Sequence, residues 1–134
     1  MLIAAMILGL IGGITYFVGS CIGVINWSGG TAPWWMASLI VIGAVGAMGG
    51  AMARTKPSMA GVVMLLAAAG AVGVGFASYN AYDAYVIDRV ISRDIILPVH
   101  PFMGSVMYLP VPLLTLVIGG MLALSSGKKT GADD

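Results

Sequence analysis

The chain has 134 residues, 60% of them hydrophobic and 8% charged, with 20 glycines and a formal net charge of +1. A soluble domain is about 25% charged, so a mean hydropathy of +1.03 leaves too little polar surface for a globule in water; a soluble enzyme, a secreted disulfide module and a disordered chain are excluded. Near-neutral charge without a long basic run gives no reason to expect nucleic acid, and the lone Cys21 excludes an internal disulfide and a CxxC metal site.

A membrane-spanning helix needs roughly 20 mostly apolar residues, because the hydrocarbon core is about 30 Å thick and a helix rises about 1.5 Å per residue. The first stretch that qualifies is 2–25. Inside it Val18-Gly19-Ser20-Cys21 loosely resembles a lipoprotein cleavage box, but no Lys or Arg precedes the apolar run, so it reads as a span. Turn residues from Asn26 to Pro33 then lead into a second span, 34–53. Arg54-Thr55-Lys56-Pro57-Ser58 separates it from a third, 59–80, and the fourth is 106–125, followed by a tail, 126–134. None of the four contains Asp, Glu, Lys, Arg or His. Backbone groups must be paired in lipid, and the alternating strands of a barrel are absent, so the spans are helices.

Between the third and fourth spans lies 81–105. Val86, Ile87, Val90 and Ile91 fall on one helical face with Asp88, Arg89, Ser92 and Arg93 opposite, and Tyr79, Tyr82 and Tyr85 mark a membrane boundary. The third helix is therefore expected to continue past the bilayer or to turn onto it, ending before Pro98. Arg89 and Arg93, four apart, could contact lipid phosphates or the carboxylates of an extracytoplasmic partner; a solvated face paired to neighbouring Asp residues accounts for them equally well. Arg54, Lys56, Lys128 and Lys129 lie on one side of a four-span chain and only Arg89 and Arg93 on the other. This bias puts both termini in the cytoplasm, in a prokaryotic cytoplasmic membrane.

Fifteen of the 20 glycines lie within the spans. Gly9 and Gly13, Gly19 and Gly23, Gly46 and Gly50, and Ala67, Ala71 and Gly75 recur at four-residue spacing, which lines small residues along one helix face and lets backbones approach. Packing within the chain's own bundle is one use of these ridges, and docking onto other subunits is another. Bulk at Gly46 or Gly73 is expected to force helices apart. The second and fourth spans also share a hydroxyl start, a VIG core and a small, basic end; duplication of a two-helix hairpin and convergent membrane composition both explain this.

Chemistry-bearing residues are few. The chain has no glutamate, no carboxylate inside a span, no GxxxxGK[ST] loop and no Ser-His-carboxylate grouping. His100, Met103 and Met107 could stack at the mouth of the fourth helix as a soft, Cu(I)-like ligand set. However, Pro101 pushes His100 out of helical geometry and 10 methionines make chance pairs common. An ordinary interfacial histidine is the preferred reading, with no metal and no other cofactor. The length is similar to that of small multidrug-resistance exporters and fluoride channels, but the first-span glutamate of the former and the arginine near the first glycine run of the latter have no counterpart here.

The expected fold class is an all-α integral membrane protein, with four transmembrane helices in a small Gly-rich bundle and an amphipathic extracytoplasmic extension after the third. The expected function is that of a non-catalytic accessory or structural subunit of a larger membrane complex, not an enzyme by itself, with the bilayer and other membrane subunits as partners. A homo-oligomeric channel or small-solute exporter is the alternative.

Overall fold

The computed structural model describes residues 1–25, 34–91 and 111–130. These form four helices: α1 (Leu2–Ile25), α2 (Trp34–Met52), α3 (Pro57–Ile91) and α4 (Val111–Thr130). All four are long and apolar enough to cross a membrane. Each packs on two neighbours, α1 on α2 and α4, and α3 on α2 and α4, so they close a ring. Two approaches on each seam, Gly9 to Gly50 and Phe17 to Gly43, Gly12 to Thr115 and Ala5 to Gly119, Gly49 to Met64 and Ile42 to Gly70, and Gly61 to Gly120 and Ser58 to Gly127, make every adjacent pair antiparallel.

Helix ends follow local chemistry. The α2–α3 connection is short because the Met52 carbonyl accepts from the N–H groups of Thr55 (3.0 Å) and Lys56 (2.9 Å), while Ala53 N–H bonds to Gly50 O (3.2 Å). Pro57 opens α3, where its missing N–H costs nothing. Its span was expected over 59–80, with the helix continuing past the bilayer or turning onto it; α3 runs 35 residues without a break, roughly 50 Å at about 1.5 Å per residue. Its apolar part is Pro57–Ala77. In α4, Pro112 sits in the first turn and the helix passes 125, where a tail was expected, to Thr130. Lysines end the apolar stretch, but they favour the C-terminal end of a helix dipole and do not stop a helix.

Around the α2–α3 turn the core consists of Ala5, Ala53, Ala60 and Ala123, with Met64 and Leu116 midway, and beyond them Tyr16, Trp35, Met36 and Leu39 pack with Ala67, Ala68 and Ala71 of α3. Since lipid tails are as apolar as leucine, the helices associate through packing and not through removal of apolar surface from water.

Candidate functional site

The glycines divide the molecular surface into places where another helix already sits and places where none does. On the α1–α2 seam a methyl group at Gly13 would fall on the backbone of Ala47 and within 2.7 Å of Gly43 O. One at Gly43 would strike Phe17 N, one at Gly50 would come within 2.6 Å of Leu10 N, and one at Gly9 would meet Met64 Sδ and lie 2.7 Å from Gly50 Cα. Backbone yields little, so a side chain at any of these four positions would force the helices to shift. Gly46 differs: its nearest neighbour is the flexible end of Leu116, at 2.9 Å. Ala67, Ala71 and Gly75 are buried on α3, while Gly19 on α1 is half-buried. The surroundings of Gly23 lie outside the described residues.

Spacing alone passes over other contacts. Gly12 faces α4, with Thr115 Oγ1 at 2.6 Å and Leu116 Cγ at 2.7 Å from a notional methyl; Gly61 meets Leu124 Cγ at 2.5 Å and Gly120 O at 2.8 Å. Neither Gly12 nor Gly61 has a glycine four residues away, so a scan for that spacing misses them. Their signal is the antiparallel register between two helices, which one segment does not contain.

One expectation is corrected. Gly73 has nothing within 4 Å of its missing side chain, so bulk there cannot force this bundle apart. It belongs to the outward face of α3 with Leu66, Ala69, Phe76 and Ala77, all exposed. Ala69, Gly73 and Ala77, four apart, form a shallow strip on that face.

Several hydroxyl side chains donate back onto their own helices. Thr15 Oγ1 donates to Ile11 O (2.6 Å), Ser38 Oγ to Trp34 O (3.0 Å), Thr115 Oγ1 to Pro112 O (2.9 Å) and Ser125 Oγ to Leu122 O (3.0 Å). Ser20 is the contrast, buried at 1% exposure with an Oγ that makes no hydrogen bond. Cys21 is free and half-buried. No group of three or more His, Cys, Asp or Glu side chains comes together among the described residues. His100, Met103, Met107 and Arg93 lie outside those residues, and Arg89 is placed on the α3 backbone only.

These features define a class: a chain whose described residues form four helices compatible with a membrane bundle. No family model, no curated protein and no solved structure matches it.

Proposed function

We propose that the chain is a non-catalytic accessory subunit of a larger complex in a prokaryotic cytoplasmic membrane, with both termini in the cytoplasm, and that it docks through a glycine-containing helix face. The supporting observation is the open strip at Ala69, Gly73 and Ala77. The seam glycines are consumed by contacts within the chain, whereas Gly73 offers helix backbone to a neighbour and meets none. Close approach of small residues is the chief way helices associate in lipid. The α3 extension carries Arg89, with Arg93 just after it, as a second, extracytoplasmic contact for a partner's carboxylates. The sparse polar inventory of the sequence supports a structural part, and we propose no metal or other cofactor for it.

Gly73→Leu tests the docking face. Since the site is open, the bundle should keep its stability while the chain ceases to migrate with other membrane proteins after mild extraction at native expression. Unchanged co-migration would overturn docking through this face. A ring containing only this chain would favour the homo-oligomeric channel or exporter instead.

A further inference from the structure

We propose that the turn end of the bundle is a binding site for an anionic phospholipid, held by Arg54, Lys56 and Lys128; the proposal rests on reading the four helices as membrane spans. The α2–α3 turn is fixed, because Met52 O takes three hydrogen bonds, from Thr55 N (3.0 Å), Lys56 N (2.9 Å) and Thr55 Oγ1 (3.2 Å). Fully buried Ala53 and Pro57 pin it at either side. Arg54 and Lys56 are exposed on this frame. α4 brings in the third cation: a methyl at Gly127 would lie 2.9 Å from Ser58 N, so the next residue, exposed Lys128, comes to the same end of the molecule.

Among the described residues no carboxylate lies at this end; Asp133 and Asp134 follow Lys128 in the sequence, outside the described residues. The acidic residues of the described helices are Asp83 and Asp88, toward the far end of α3, roughly 40 Å from its start at about 1.5 Å per residue. Depth identifies the ligand. The apolar spans end at Met52, begin at Pro57 and reach Lys128, so the three cations sit at headgroup level of one leaflet. Below them, Met59, Val62 and Leu66 are exposed along α3 at helical spacing, a surface for an acyl chain. A soluble anion would use the cations and leave this apolar surface idle; a phospholipid uses both. Arginine supplies a fixed, planar donor set for phosphate oxygens and the lysines mobile point charges.

The test uses the full chain in nanodiscs with equal phosphatidylglycerol and phosphatidylcholine, followed by release and native mass spectrometry of retained lipid. The wild type should retain phosphatidylglycerol in preference. Each of Arg54→Gln, Lys56→Gln and Lys128→Gln should reduce the preference by about fivefold. Arg54→Lys, which keeps the charge, should preserve most of it. Equal retention of both lipids, or an undiminished preference in the triple Gln variant, would overturn the site. Full displacement by free glycerol phosphate would overturn it in favour of a soluble anion, and displacement by an acidic peptide in favour of a protein partner. Alkaline carbonate extraction of the wild type from its membrane would overturn the membrane reading itself, a failure distinct from loss of lipid selectivity.

Discussion

At Gly13 a single methyl group has nowhere to go, because the atoms it would meet belong to the Ala47 and Gly43 backbone. At Gly46 its nearest neighbour would be Leu116 Cδ2, at 2.9 Å, the flexible end of a side chain, with the Gly13 backbone no nearer than 3.4 Å. At Gly73 it would meet nothing. Alanine at the three positions therefore makes a graded series with one chemical change. Gly13→Ala should lose about 1–3 kcal/mol, as overpacked sites do, and Gly46→Ala less. Gly73→Ala should be neutral or slightly stabilising, since alanine favours a helix over glycine by about 1 kcal/mol. Thermal unfolding of the purified chain in one detergent ranks them; a Gly73→Ala loss as large as that of Gly13→Ala would contradict the packing described. Four-residue spacing names Gly9, Gly13, Gly46 and Gly50 alike. It could not tell Gly46 from Gly13, because the difference lies in whether a side chain or a backbone stands opposite.

At the level of elements, hydropathy locates apolar stretches well and helix ends less well. α1 ends where Asn26 and Trp27 begin a polar, glycine-rich run, and there the two coincide. α3 and α4 run on past their apolar stretches, to Ile91 and Thr130, because Tyr, Asp, Arg and Lys leave the membrane's interior without leaving the helix. The 86–91 pattern of apolar and charged residues already spoke for that continuation of α3. The register that pairs Gly61 with Gly120 did not show in either segment. A continuous α3 makes its own prediction. Proline at Ala84 would remove one backbone hydrogen bond and clash with the preceding turn, costing about 3 kcal/mol or more locally. It lies beyond the apolar part, which ends at Ala77, so Ala84→Pro should insert normally and lower the far-UV helical signal by one to two turns. An unchanged helical signal would mean that this segment is not a helix in the membrane.

For the whole molecule, the closed antiparallel ring fixes which charges travel together. The start of α1, the Arg54–Lys56 turn and the end of α4 share one end, and the Asp83–Arg89 part of α3 projects from the other. Whichever way the bundle lies, these two sets face opposite sides of the membrane. The proposed orientation, with both termini in the cytoplasm, rests on four cations against two, because Lys and Arg in short connections tend to be retained on the cytoplasmic side. The contact of Gly127 with Ser58 bears on how to test this. Ser126, next to it, is buried at 5% exposure and would report poorly on access, whereas Thr55 in the turn is exposed. In a Cys21→Ala background, Thr55→Cys should resist a membrane-impermeant thiol reagent in intact cells and react after the cells are opened. Ser92→Cys, one residue beyond α3, should react from outside. Labelling of position 55 with position 92 protected would reverse the orientation, and it would move the proposed lipid site to the outer leaflet without altering its geometry. Labelling of both from outside would break the four-span arrangement, since an uninterrupted α3 cannot begin and end on the same side of a bilayer that it crosses.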